Sequence, residues 1–588
     1  MMKFFEWLNE RQLAWRNAYH GLLSSYITSA FWVPIYAAIA CVVIGTGVLH
    51  AFGPAVFRQW LPIIAVGSLL FIGVRTYIDL GREYQHRDAR KRHRGRLMLK
   101  EKAARKEARK KRKPGDRGIL WGKLRLPSKD AEKHFCIIGG IGSGKTLTLR
   151  MLMQDQLPLL TPGSNRRALI YDCQEDFVQT TAAIMRDIDC PMYILNPFDK
   201  RRAAWDIAKD IDYAPVAANL AARVFPSNPK SHNKFYEETP RTIMTCVVEV
   251  FIARANHKWT LRHLVLVMQS KALINLITDL SPQARATMKL TFEGSDKSLG
   301  DVMSTINSTL YPWGRIAASW EGVKKEKRIS IADWLAGTSI LVLPRFGQGD
   351  SETLRIYSLF IDTIATNLST LEGGDSSRRT WLFLDEFPEL GNIEGLKKLI
   401  TLGRNKGFTC VLGLQQPVLV YAAYGREIGE VIISECGIKA YLKASSDDAA
   451  KWVSNSISDF SPDWDESYDK SRTGHLYPPR YFVNLPDAGY ENGVYGVYLA
   501  PSITGWEAHY TPAELNALLC KPDKDVDRLQ RLEDEFLNLE PWGKEDSELF
   551  GIPWPIDGVQ PENTQPSPDP NPPADDDPLA DMIPVGRI

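Results

Sequence analysis

Two long apolar stretches dominate the first eighty residues. Phe31 to Phe52 is apolar apart from His50 near one end. At ~1.5 Å rise per residue it makes a helix of ~33 Å, enough to cross a hydrocarbon core of ~30 Å. A second run, Phe57 to Tyr77, carries Arg58 and Arg75 at its ends, where they can snorkel to the interfaces. Together they predict a transmembrane helical hairpin over residues 30–80. Ahead of it, Phe4, Leu8, Trp15, Tyr19 and Tyr26 recur near helical spacing. That pattern predicts an amphipathic helix within residues 1–29, lying on a membrane surface or packed on a neighbour. Some thirty residues before the first span argue against a cleaved leader.

Further along, the period changes to short apolar runs separated by helical patterns. His134–Gly139, Ala168–Asp172, Met192–Leu195, Ser339–Pro344, Trp381–Leu384 and Thr409–Leu414 read as buried strands. Between the third and fourth, residues 206–313 read as helices only. Thr239-Pro240, Thr260 and Ser281-Pro282 each place a hydroxyl before a helical run, which predicts three helix starts. The prediction is an α/β fold with a parallel sheet and an all-α insertion domain.

Composition adds a charge asymmetry. The 588 residues carry 72 Lys and Arg against 70 Asp and Glu, a net charge of only +2. Yet residues 82–117 hold 17 basic and 5 acidic residues, so the remainder is net acidic. The polybasic linker, residues 81–117, follows the hairpin directly, and positive flanks stay cytoplasmic. Both termini and everything beyond residue 80 are therefore expected in the cytosol. The basic run reads as a lipid-headgroup collar or topology signal, or as a contact for DNA phosphates. With 44% hydrophobic and 24% charged residues the chain is neither wholly disordered nor collagen-like. Its eight cysteines are scattered without a Cys-x-x-Cys pair, so no zinc site or disulfide framework is expected. A reducing compartment follows.

The chemistry concentrates in two places. Gly139-Gly140-Ile141-Gly142-Ser143-Gly144-Lys145-Thr146 stands between a strand and a helical pattern, the context that makes a Walker A sequence a phosphate site. Converging backbone N–H groups and the helix N-terminus favour phosphate there. Lys145 is placed to reach the β- and γ-phosphates, and the Thr146 hydroxyl to bind Mg²⁺. Far along the chain, Trp381–Leu384 ends in Asp385 and Glu386. Asp385 is expected to hold Mg²⁺ through water and Glu386 to polarise the attacking water.

These residues, with the two apolar spans, IIGGIGSGKT, ALIYDCQED, Leu195–Asp206 (LNPFDKRRAAWD) and Trp381–Pro417 (WLFLDEFPELGNIEGLKKLITLGRNKGFTCVLGLQQP), resemble the TraG/TraD-type coupling proteins. These are the membrane ATPases of conjugative type IV secretion systems, and the resemblance covers most of residues 30–520. It implies a RecA-like P-loop ATPase domain over 118–205 and 314–520, interrupted by the insertion domain at 206–313. It further implies ATP with Mg²⁺ as cofactors, an inner-membrane location and a homohexamer. The implied activity is DNA-stimulated hydrolysis that couples a relaxase-bound DNA substrate, single- or double-stranded, to channel subunits. Within the last block, Arg404 falls where the family places an arginine finger acting on a neighbouring subunit's nucleotide. Gln415 falls where a γ-phosphate sensor is expected.

Some residues depart from the family pattern. Its Pro-Lys-Gly after the strand aspartate is absent, and Asp172 is followed by Cys173-Gln174-Glu175-Asp176. Cys173 has no obvious His partner and reads as a small buried residue. Trp205-Asp206 marks the entry to the insertion or simply packs. Beyond Cys520 the periodicity fades: a helix is possible over VDRLQRLEDEFLNL, and residues 521–588 read as an acidic, Pro-rich, largely disordered tail. It is either a solvated end or a recruiting tail. The alternatives to a conjugative motor are a related motor for protein effectors or duplex DNA, and a non-catalytic membrane receptor for cargo.

Overall fold

The computed structural model describes residues 98–557 and Val559, apart from 227–233, 293–295, 346–350, 369, 370, 372, 376, 458 and 461–473. The expected amphipathic helix, the transmembrane hairpin, the first part of the polybasic linker and the end of the tail lie outside the described residues. Among the described residues no helix is long and apolar enough to cross a membrane.

Ten strands build one sheet: β1 (Met98–Leu99), β2 (Phe135–Ile138), β3 (Arg166–Asp172), β4 (Met192–Ile194), β5 (Ile340–Pro344), β6 (Arg379–Leu384), β7 (Phe408–Leu414), β8 (Ile438–Tyr441), β9 (Val494–Ala500) and β10 (Thr504–Tyr510). Their spatial order is β1-β10-β9-β8-β2-β7-β6-β3-β5-β4. From β8 to β4 all neighbours are parallel, and β9 runs against both β8 and β10. The central strands are buried on both faces, which is why they read as unbroken apolar runs. Alternation still sorts them. Leu382 and Leu384 enter one core, Trp381 and Phe383 the other.

Each expected strand is present within a residue or two of its predicted limits. The strands β8, β9 and β10, for which no run was singled out, extend the sheet beyond β2. A separate two-stranded ladder pairs Asp459–Phe460 with Gly474–His475.

Residues 206–313 are helical where described, with helices Ile207–Asp210, Ala214–Val224, Phe235–Ala255, Leu261–Gln269, Lys271–Thr278, Pro282–Phe292 and Asp296–Glu321. The last runs past the expected boundary at 313. Thr260 caps its helix as predicted, in a reciprocal box with His263. Ser281 likewise accepts from Ala284 N–H at 3.3 Å. Thr239-Pro240 does not start a helix. Phe235 does, with Glu237 and Glu238 in its first turn, and Pro240 lies inside it.

The insertion leaves and rejoins the α/β part through a parallel pair, Ala204–Trp205 with Arg328–Ile329. Asp210 holds this neck. It accepts from the Trp205 indole at 2.7 Å and from the Ile331 backbone N–H at 2.7 Å. Trp205 thus both packs and marks the entry.

The stretch 521–557 corrects the expectation of a largely disordered tail. VDRLQRLEDEFLNL forms no α-helix; it holds the 3₁₀ turn Asp534–Leu537, and Lys544–Phe550 is helical. Leu532, Leu537, Trp542, Phe550, Ile552 and Ile556 are buried. The segment is tied to the α/β part by Arg186–Asp523 at 2.8 Å and Arg528–Asp176 at 2.9 Å. It is tied to the insertion by Arg262, whose guanidinium grips both oxygens of Asp546 at 2.9 and 2.8 Å. His263 joins Asp546 at 3.0 Å.

Within the linker, Glu101–Lys111 is a helix that buries Ala104 and Ala108 and exposes its lysines and arginines.

Candidate functional site

The glycine loop follows β2 and opens the helix Lys145–Gln156. It is pinned to both flanking strands: Gly139 N–H donates to Leu414 O at 3.2 Å and Gly140 N–H to Lys443 O at 2.8 Å. Two glycines are demanded by geometry. A Cβ on Gly140 would lie 2.6 Å from Cβ of Ser445. Gly144, at φ +89, caps the helix in the left-handed region with Ala488 and Val494 closing over it. Ser143 is buried, whereas Ile141 is 84% exposed at the loop tip and contributes backbone only. The first helical N–H groups, Lys145 and Thr146 among them, have no intrahelical acceptor.

One strand, β7, lies between β2 and β6, so the glycine loop and the acid pair stand about 10 Å apart at the strand ends. Side chains close that gap. The Lys145 ammonium contacts the Glu386 carboxylate, both buried. Glu386 also accepts from Gln415 N–H at 3.2 Å. Glu386 sits at φ 51, ψ 51, an unusual conformation for a non-glycine residue that is held here by those contacts. Thr146 and Gln415 are half-buried beside them.

Asp385 is 0% exposed and neither carboxylate oxygen has a hydrogen-bond partner. Burial raises its pKa to about 6, opposed by the Lys145 charge and reinforced by Glu386 and Glu389. Such orphaned acceptors fit a cation. No three His, Cys, Asp or Glu side chains among the described residues form a metal cage. Mg²⁺ takes few protein ligands and completes its shell with phosphate and water. Thr146 and Asp385 are the residues that would hold it. Gly413, which sequence reasoning passed over, keeps the space open: a Cβ there would lie 3.2 Å from Asp385 Oδ1.

Asp172, at the end of β3, was noted only as a departure. It is fully buried and accepts from Gln174, Asp176 and Phe177 N–H at 3.2, 3.2 and 2.7 Å. It therefore shapes its own loop. Burial lifts its pKa to about 7 against those three bonds, with the Asp385 charge adding to the rise. Cys173 donates to Glu389 at 3.1 Å, and burial pushes its thiol up to about 12, so it is no thiolate nucleophile. Glu389, also bridged to Arg345, went unnoticed. Its position three residues after Glu386 was the available signal.

Arg404 stands apart from this cluster. It is exposed in the turn Gly403–Lys406, ahead of β7, whose far end carries Gln415. A strand of seven residues spans about 23 Å, so Arg404 lies at the opposite edge of the sheet from Lys145. It does not reach the site of its own chain.

Comparison with known proteins bears on the family and the fold. The family model for the type IV secretion-system coupling protein DNA-binding domain matches residues 119–461. Coupling protein TraD of Escherichia coli (strain K12) is 22% identical over 349 residues, 58% of this chain and 46% of that protein. The match thus spans a little under half the length of that relative. Plasmid coupling protein TrwB in complex with ADP and Mg²⁺ superposes with a TM-score of 0.59 at 17% identity, over 75% of this chain and 97% of that one. The bacterial conjugative coupling protein TrwBdeltaN70, unbound, gives 0.58 at 17% over 74% and 97%. TrwB with the non-hydrolysable ATP analogue ADPNP gives 0.58 at 16% over 75% and 97%. At these identities the likeness is one of fold.

Proposed function

The chain belongs to the type IV secretion-system coupling proteins, and from that premise we propose a membrane-anchored, DNA-stimulated ATPase that drives a relaxase-bound DNA substrate towards a secretion channel. The observation that carries the reading is the meeting of Lys145 with Glu386, 241 residues apart in the chain, beside an Asp385 whose oxygens have no protein partner. The ADP, Mg²⁺ and ADPNP complexes of TrwB support ATP and Mg²⁺ as ligands of this chain.

In this mechanism Lys145 exchanges Glu386 for the β- and γ-phosphate oxygens. Glu386, so released, accepts a proton from the attacking water, and Gln415, hydrogen-bonded to it through its backbone, registers the γ-phosphate. Thr146 and Asp385 would hold Mg²⁺, which when bound would draw charge from the transferred phosphoryl group. Arg404, at the far sheet edge, acts on the nucleotide of a neighbouring subunit, which calls for a ring, here a homohexamer. Residues 30–80 anchor the assembly in the inner membrane with both termini cytoplasmic. The basic helix Glu101–Lys111 stands on the cytoplasmic side.

The test is the ATPase rate of the purified full chain with and without DNA across a salt series. Stimulation that weakens as salt rises is expected, because phosphate contacts release counterions. Equal rates with and without DNA at every salt concentration reject the DNA-coupled motor.

A further inference from the structure

His134 stands just ahead of β2, 1% exposed, and takes a positive φ of 51° that side chains other than glycine rarely adopt. Its ring makes two bonds that settle its tautomer. Nδ1 accepts from the Cys410 backbone N–H in β7 at 3.0 Å. Nε2 therefore carries the proton and donates to the Ile400 carbonyl at 2.8 Å. Ile400 lies near the end of the helix Glu394–Leu402, whose last carbonyls lack helical partners. From there the chain passes directly into the turn that presents Arg404. Burial lowers the ring's pKa to about 4, with the Arg404 charge acting in the same direction, so imidazole stays neutral, one donor and one acceptor.

We propose that His134 is a positioning residue for Arg404, clamping the end of the helix that leads into the Arg404 turn to the root of the strand that carries the glycine loop. The inference rests on the reading of Arg404 as a group acting on a neighbouring subunit's nucleotide. It adds a physical link. The segment leading into one subunit's phosphate loop fixes the arginine offered to the next subunit: the imidazole holds the Arg404 edge, and β2 runs from it to the glycine loop.

The test uses the full chain and DNA-stimulated hydrolysis. In His134→Asn the side-chain amide keeps an acceptor near the Nδ1 position but cannot reach Ile400. In His134→Gln an amide N–H falls near the Nε2 position. His134→Asn is expected to lower kcat by about tenfold with KM for ATP within about twofold, and His134→Gln to retain most of the rate. In mixed assemblies, Lys145→Ala subunits should restore hydrolysis to Arg404→Ala subunits. Subunits carrying both Lys145→Ala and His134→Asn should restore about tenfold less. An Arg404→Ala protein of undiminished rate overturns the reading of Arg404 itself. A slow Arg404→Ala protein alongside wild-type kcat in His134→Asn overturns the role of His134. Equal losses in the Asn and Gln variants, tracking their melting temperatures, overturn it as well by making the residue merely structural.

Discussion

At the carboxyl edge of the sheet, Lys145, Asp385 and Glu386 are buried side by side, whereas at the amino edge Arg404 is exposed and its side chain makes no hydrogen bond or ion pair among the described residues. The first group is complete in one chain but for nucleotide and metal. The second has nothing within its own chain to act on. A charged group left in solvent gains little from its own fold, and in the proposed mechanism its target is the nucleotide of another copy. The difference between the edges teaches where a defect should be felt: in the same subunit for one, in its neighbour for the other.

The sharpest way to break that contrast is Lys145→Ala. It should abolish hydrolysis, and no mixing partner should restore turnover at the altered site, as single-turnover assays with radiolabelled ATP would check. Glu386→Gln should abolish hydrolysis too but keep nucleotide bound. Next in size, Arg404→Ala should lower kcat by about 10³-fold, the usual worth of such a group, yet recover in mixed assemblies. Recovery absent at every mixing ratio would place Arg404 outside catalysis in a neighbour.

A fourth prediction concerns stability. The folded pKa of Asp385, about 6 against the ordinary 3.8, means the native state holds this proton more tightly than the unfolded chain. Stability from this group is therefore full below about pH 4 and falls as pH rises through about 6. The accumulated penalty is roughly 3 kcal/mol above that. Asp385→Asn should abolish hydrolysis while raising the melting temperature of the nucleotide-free protein at pH 8, a gain that vanishes near pH 4. Melting curves at the two pH values check it. The smallest effect belongs to Arg426–Glu430, an exposed pair at 3.0 Å: Arg426→Ala should change stability by less than about 0.5 kcal/mol.

Legibility in the sequence followed the same division. The glycine loop and the acid-ending strand were readable because each needs fixed residue types at fixed spacing. The helical insertion was readable from apolar periodicity and hydroxyl caps. The caps misled at Thr239-Pro240, where proline is tolerated inside a helix that starts at Phe235. Gly413 and Asp172 were not readable, since a strand glycine and a strand-end acid are common and only the neighbour across the ladder gives them meaning. The strand β10 interrupts its buried positions with Thr504, Glu507 and His509 and so lacks the unbroken run that marked the others, whereas β9 (VYGVYLA) is a buried apolar run that was simply passed over. The segment 521–557 escaped because its anchors, Leu532, Leu537, Trp542 and Phe550, are spaced without a period. It packs by single side chains.

That clasp decides where the polypeptide can be cut. A fragment ending at Cys520, where the repeat fades, would strip Asp546 from Arg262 and His263 and remove Phe550 from its place 4.4 Å from the Phe251 ring. An arginine left inside without its carboxylate costs about 3–5 kcal/mol, a large share of what holds a domain folded. Expression of a shortened chain, or fusion of a fluorescent reporter, should therefore keep every residue through Asp557.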